Sequence, residues 1–373
     1  MSLQLKDLYD GFRDGSTIKA LARTIKEESE KLSDPLRIME VCGGHTHTIM
    51  KYGLKQLLPP SIEFIHGPGC PVCIMPKERI DHAISLARMK DTILLTLGDM
   101  IRVPGSSSSL VQERSRGCDI RPLYSPMDAL KIARENPTKK VIFFAIGFET
   151  TTPMSAAVIL QADHEGLQNL FFHINHVLVP QPVHAIMNDP QNRINAFIGP
   201  SHVSVISGSK IYDSIAEAYG TPIVVSGFEP VDVMEGILKI VVQKNENRSE
   251  VEVQYSRAVT HEGNLKAQKM IDQTMRVRDT FRWRGLGDIA DSALKLRDEF
   301  SHFDAENVFA EFLSYEPIDD HKLCICGSIL RGIAKPNDCT VFGTACTPNS
   351  PLGSCMVSSE GSCNAYYRFG GTH

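Results

Sequence analysis

Eight times between Leu36 and about Val242 the chain repeats one unit: a short β-branched or aromatic run, a glycine-containing or polar loop, then residues at helical spacing. The runs are LRIMEV from Leu36, IEFIH from Ile62, TILLTL from Thr92, DIRPLY from Asp119, KVIFFAI from Lys140, NLFFHI from Asn169, NAFIGP from Asn195 and TPIVVS from Thr221, with starts 21 to 30 residues apart. That interval holds a strand, a helix of two or three turns and two short loops, so each unit is a βα unit. Strands joined by helical crossovers run parallel, which makes the fold class α/β. Eight such units can close into one barrel or split into two open sheets. GFET at Gly147 and GFEP at Gly227 each follow a strand and precede helical sequence, an internal similarity that favours two doubly wound domains. The expected boundaries are 1–130, 131–245 and, for a remainder of different character, 246–373. Parallel sheets bind ligands at the carboxyl ends of their strands, so the chemistry belongs in the loops that follow them.

Outside the repeat, residues 16–32 carry Ile18, Leu21, Ala22 and Ile25 at helical spacing, an amphipathic helix with Ser16 or Thr17 as its expected cap and a neighbouring domain as its packing partner. After Val242 the strand rhythm stops; KNENRSE reads as a solvated connection, helical sequence resumes near Asn264, and beyond Leu323 the chain is rich in Gly, Pro, Ser and Cys. Such a tail needs a cross-link to fold. A formal charge of −5 without any Lys/Arg block leaves no electrostatic footprint for nucleic acid. No apolar run approaches the ~18 residues of a membrane span, and acids occupy the start where a signal peptide would be apolar, so the cytoplasm is the expected compartment.

In that compartment ten cysteines are reduced thiols, which favours metal or redox chemistry over a disulfide framework. They gather at the two ends. Cys70 and Cys73 form a C-x-x-C between the strand ending at His66 and a helix that Pro76 opens, the setting in which a helix dipole lowers a thiol pKa and a dithiol cycles with its disulfide; half a zinc site is the alternative. VCGGHTH places Cys42, His45 and His47 on the loop after the first strand, a soft ligand and two imidazoles, with Gly43 and Gly44 allowing close backbone approach. GFETT at 147–151 and SHV at 201–203 occupy equivalent positions and add Glu149, Thr150, Thr151 and His202, although the two threonines could simply cap the next helix. Cys324, Cys326, Cys339, Cys346, Cys355 and Cys363 crowd the last fifty residues, more than enough for a four-thiolate zinc or iron–sulfur site. The count does not choose among them.

These motifs together, CGGHTH, HGPGCPVC, GFETT, GFEP and the tail with CGS at Cys326 and SSEGSC at Ser358, resemble the HypD family of hydrogenase maturation factors from about Leu36 to Tyr367. Ser201 stands where the family pattern has glycine. The resemblance implies two Rossmann-like domains around a cleft and a third, loop-rich and partly helical domain holding a [4Fe-4S] cluster on Cys326, Cys339, Cys346 and Cys363, with Cys324 and Cys355 outside that ligand set. It implies an assembly scaffold rather than a conventional turnover enzyme. On it the Fe(CN)2CO unit of nickel-iron hydrogenases is built with the small chaperone HypC, from cyanide donated by HypE, and passed on to the hydrogenase large-subunit precursor. Cys42 would hold the transient iron, His45 would assist it, Cys70 and Cys73 would carry the thiol redox chemistry, and His47, Glu149, Thr150, Thr151 and His202 would line the substrate site. The competing expectations are an iron–sulfur-dependent thiol-disulfide oxidoreductase and a zinc-stabilised binding module.

Overall fold

The structure, a computed structural model, describes residues 10–370. All eight expected strands form: β1 Leu36–Glu40, β2 Ile62–His66, β3 Thr92–Leu97, β4 Asp119–Leu123, β5 Lys140–Gly147, β6 Leu170–His176, β7 Ala196–Pro200 and β8 Ile223–Ser226. With β9, Val251–Val253, they make two parallel sheets and no barrel, in the orders β2-β1-β7-β8-β9 and β4-β3-β5-β6. β5 to β8 are buried on both faces almost throughout, as a helix-covered parallel sheet requires, while the edge strands β4 and β9 are partly exposed.

Sheet membership is interleaved along the chain, whereas the boundaries expected at residues 130 and 245 are sequential cuts. β1 and β2 begin the first sheet, β3 to β6 build the second, and β7 returns to pair with β1, Ile38 opposite Ala196. Periodicity counts βα units but carries no information on which strand a returning unit pairs with. The return is what brings the loops after β1, β2 and β7 together at one carboxyl edge.

The first helix, Gly15–Ser29, packs against Pro230–Asn245, burying Ile18, Ala22 and Ile25 in one cluster with Val233, Ile237 and Ile240. Its cap is Asp14 and not Ser16 or Thr17: the carboxylate accepts from the Thr17 backbone N–H at 2.7 Å, and the Thr17 hydroxyl donates to the same carboxylate. An anion at this end also complements the helix dipole. Helical sequence resumes at Leu265–Thr274, capped by Asn264.

One element lies outside the sequence reading. β10, Met275–Trp283, and β11, Gly287–Leu296, form an antiparallel hairpin in the region read as helical and loop-rich. Charged residues on its exposed face obscure the apolar alternation. The hairpin lies beside the second sheet, with the Leu178 N–H donating to Ser292 O at 2.9 Å and Trp283 buried near Phe148. A buried ion pair, Arg79 to Glu306 at 2.7 Å, ties the Lys77–Arg88 helix to the segment after it. Among the described residues no helix is long and apolar enough to cross a membrane.

Burial pushes four imidazoles, His45, His82, His176 and His202, down to about 4. Unfolded, they titrate near 6.5, so between these values the unfolded chain binds more protons and folding stability rises with pH. Acidification from about 6.5 to 4 should therefore lower the urea midpoint progressively, each histidine contributing up to ~1.4 kcal/mol per pH unit. A midpoint that stays level across this window would contradict the burial of these rings.

Candidate functional site

Three post-strand loops meet. Cys42 follows β1 and caps the helix Gly43–Lys51, its Sγ accepting from the Gly44 N–H at 3.4 Å. Cys70 follows β2 and precedes a single turn, Pro71–Ile74, that contains Cys73; Pro76 stands just before the longer helix Lys77–Arg88. The Gly43 N–H donates to Gly69 O at 3.3 Å, so the two cysteine loops lie backbone against backbone. A side chain at Gly69 would drive into the main chain of Val41 and Cys42. Gly69→Ala is accordingly expected to force the loops apart at a cost of about 1–3 kcal/mol, a drop of a few degrees in Tm. Gly15→Ala, which meets nothing within 4 Å, should leave Tm essentially unchanged.

The third loop follows β7 and supplies His202, whose ring nitrogens lie 3.9 and 4.0 Å from Cys42 Sγ. Burial pushes the Cys42 thiol well above its ordinary range, and the nearby Glu360 carboxylate adds to the effect, outweighing the Gly44 N–H. The sulfur is thus a neutral thiol until a cation replaces its proton. A cavity of about 360 Å³ adjoins this corner, lined among others by Cys70, Thr150, Thr151, His202 and Glu360.

The other residues singled out from sequence divide. Glu149 is buried; its Oε1 accepts from the Val179 N–H at 2.9 Å, its Oε2 has no partner, and burial raises its carboxyl to about 7. The Thr150 hydroxyl is buried without a partner, whereas Thr151 donates to Phe148 O at 3.2 Å and does not cap the helix Thr152–His164. His45 lies against Phe228, its Nε2 3.1 Å from both Ser226 O and Gly227 O; the N–H is therefore on Nε2 and Nδ1 is left without a partner. Its hydrogen bonds go to the GFEP turn and none to a thiol. His47 is in a neighbouring cavity with Lys51, Phe228 and Glu229, its ring edge-on to Phe369. Glu360 is common to the walls of both cavities.

Behind Cys70 the thiols continue inward. Cys355 and Cys70 are the thiols beside Cys73, whose Sγ lies 3.9 Å from Ser354 O, and burial pushes the Cys73 thiol up. Cys355 in turn neighbours Cys326, which also has Cys324 and Cys363 beside it. The neighbouring Cys326, then Cys73, hold the Cys355 thiol below its ordinary value against its burial. Ser354 fixes the junction, its hydroxyl donating to Cys73 O at 2.5 Å. A continuous row, Cys70–Cys73–Cys355–Cys326, therefore joins the two ends of the chain. Sequence reading left Cys355 spare; its signal was only that it exceeded the ligand count. Cys118 stands apart, half-buried beside the Arg88–Glu113 pair.

In the tail, Cys346 Sγ accepts from the Leu352 N–H at 3.4 Å, and Cys339 Sγ lies 3.7 Å from Leu323 O, next to Cys324. A Cβ on Gly353 would collide with the sulfurs of both Cys324 and Cys326, so the glycine opens the space into which they point. Among the described residues no three His, Cys, Asp or Glu side chains already stand at metal-binding spacing. Thiols around a side-chain-free glycine with backbone N–H donors aimed at sulfur are nevertheless a donor set suited to a thiolate-held cluster.

Comparison with known proteins adds a family. The model of HypD, described as the hydrogenase formation hypA family, matches residues 16–370. The chain is 51% identical over 369 residues to the hydrogenase expression/formation protein HupD of Azotobacter chroococcum mcd 1, covering 97% of this chain and 96% of that protein. It is 50% identical over 367 residues to the hydrogenase maturation factor HypD of Azotobacter vinelandii, covering 97% and 96%. Against the HypD of Escherichia coli K12 it is 44% identical over 364 residues, covering 96% and 97%.

Proposed function

Because the chain belongs to the HypD family and its role is in hydrogenase maturation, we propose that it is the scaffold on which the Fe(CN)2CO unit is assembled with HypC, taking cyanide from HypE by thiol redox chemistry. The observation that carries this reading is the row of neighbouring thiols leading from Cys70, on the cavity wall, through Cys73 and Cys355 to Cys326 in the tail.

Cyanide arriving as a thiocyanate on a partner's cysteine needs an electron pair before it can leave as the anion. One thiolate of the Cys70/Cys73 pair attacks the thiocyanate sulfur; the S–C bond breaks, cyanide departs with the bonding pair, and a mixed disulfide remains. The second thiolate attacks that disulfide, frees the partner's thiolate and closes Cys70–Cys73. Two cysteine sulfurs have then lost two electrons in all, and their recovery takes two electrons and two protons. Cys355, beside Cys73 and Cys326, would open the closed disulfide by exchange, moving the S–S bond to Cys73–Cys355 and freeing Cys70; an external reductant then has to supply the two electrons and two protons that return both thiols. Cys326, Cys339, Cys346 and Cys363 would hold a [4Fe-4S] cluster, with Gly353 leaving room for it; bound there, it supplies one-electron transfer.

The iron under construction is cargo. Cys42 is its protein thiolate, soft enough for low-spin iron with cyanide and carbonyl ligands, and His202, about 4 Å from the sulfur, is the nearest proton acceptor. Glu149 and Thr150 carry polar atoms without partners beside this loop set and supply its substrate contacts, while Thr151 lines the cavity. His45 orients the GFEP turn, and His47 belongs to the adjoining cavity where a partner chain would rest. Infrared and Mössbauer spectra of the anaerobically purified complex with HypC test the assignment. They should show cyanide and carbonyl bands together with a separate cluster signal; a thiol-disulfide oxidoreductase alone would show only the cluster.

A further inference from the structure

The turn of the hairpin brings a cation to the tail thiols. Arg284 follows Trp283, and its backbone N–H donates to Ile74 O at 2.8 Å, which pins the turn to the segment carrying Cys73. On the other side Gly285 and Gly327 pack backbone to backbone, next to Cys326. The guanidinium is held between them, 4% exposed. Asp320 Oδ1 lies 2.6 Å from Nη2 as an ion pair without hydrogen-bond geometry, and none of Nε, Nη1 and Nη2 has a hydrogen-bond partner among the described residues. The charges of Cys326 and Cys324 act on this guanidinium, and a cavity of about 330 Å³ is lined by Arg284, Cys324 and Gly327 together.

A buried donor left without an acceptor keeps its full desolvation cost, the more so when it is charged. Three such donors on one cation, in a pocket that Cys324 lines and beside Cys326, imply an anionic acceptor. Thiolate sulfur bound to a metal is that acceptor, because metal binding removes the thiol proton and leaves negative charge on the sulfurs. We propose that Arg284 is the counter-charge of the tail thiolate centre and sets its reduction potential; the inference rests on the cluster reading above. Reduction adds one negative charge to the centre, so a fixed buried cation favours the reduced form. Asp320 works against it by drawing part of the guanidinium charge away. The two residues therefore have opposite effects, which a merely structural role would not produce.

The test is potentiometry of the intact protein, purified anaerobically and followed by electron paramagnetic resonance, with iron content measured alongside. Arg284→Gln should move the midpoint to more negative values, and Asp320→Asn should move it to more positive ones. Arg284→Lys, which keeps the charge but not the planar fork, should fall between Arg284→Gln and the parent. Arg134→Gln, on the far helix Asp128–Glu135, should leave it in place. Should Arg284→Gln not fold, the positive shift of Asp320→Asn and a smaller negative shift of Arg284→Lys carry the proposal. Shifts of the same sign, or none, at unchanged iron content overturn it. A parent protein without iron or a redox signal would instead bring down the cluster reading, and the role of Arg284 with it.

Discussion

Cys42→Ala is expected to abolish the cyanide and carbonyl infrared bands of the complex with HypC while leaving the protein folded. Cys42 is the one thiol on the loop after β1, 3% exposed, close to His202 and turned toward the Gly44 N–H. It makes no hydrogen bond with the thiol row, so its removal leaves Cys70, Cys73 and the tail sulfurs where they are. Truncation takes one buried sulfur from a packed corner, a change of roughly 1 kcal/mol that circular dichroism and Tm would register as minor. Cys42→Ser is the sharper variant: the hydroxyl keeps the shape and the Gly44 contact, but a hard oxygen ligand is a poor match for low-spin iron. Both variants should lose the bands while retaining cluster absorbance. Bands of normal intensity in Cys42→Ser would remove this residue from the iron.

The second large effect is kinetic. Cys355→Ser is expected to deliver one cyanide per chain and then stop. On the proposed chemistry each oxidation of the Cys70/Cys73 dithiol would release a single cyanide, and the Fe(CN)2CO unit needs two, so the pair would have to be reduced between deliveries. Cys355 contacts both Cys73 and Cys326 and is fully buried. A serine there preserves packing but cannot form the mixed disulfide. With a thiocyanate-loaded HypE and dithionite as electron source, quenched samples should show an undiminished first release. Later turnovers should slow about a hundredfold or more, equivalent to about 2.7 kcal/mol of barrier, and mass spectrometry should find Cys70–Cys73 trapped as the disulfide. Sustained release at the parent rate would show that the row does not conduct through this residue. Loss of iron instead would make Cys355 a ligand.

The fold was legible because its signal is local. Runs such as KVIFFAI and TPIVVS are β-branched and aromatic over a strand's length and are followed by helical spacing, and each became a strand. The hairpin was not legible, since in RVRDTFRW the alternating Val277, Phe281 and Trp283 are broken by Asp279 and interleaved with arginines, and Val277 is exposed while Trp283 is buried near Phe148, which is distant along the chain. The cap at Asp14 was missed for a smaller reason. Three capping residue types stand within four positions, and only the backbone angles decide which one faces the free N–H groups.

For the site, sequence located the loops that matter and the residue types on them: Cys42, Cys70, Cys73, Glu149, Thr150, Thr151 and His202 all follow strands, where parallel sheets expose their ligands. Tertiary structure decided which of them meet. The return of β7 to pair with β1 set His202 against Cys42, turned His45 toward the GFEP carbonyls and left His47 in a second cavity, because strand order is fixed by burying both faces of a sheet and not by chain order. It also laid Cys355 between Cys73 and Cys326 and Arg284 beside them. A sulfur–sulfur approach across some 280 residues and a charge–sulfur one across some 40 leave no mark on local periodicity, and they exist only once these segments share one interior.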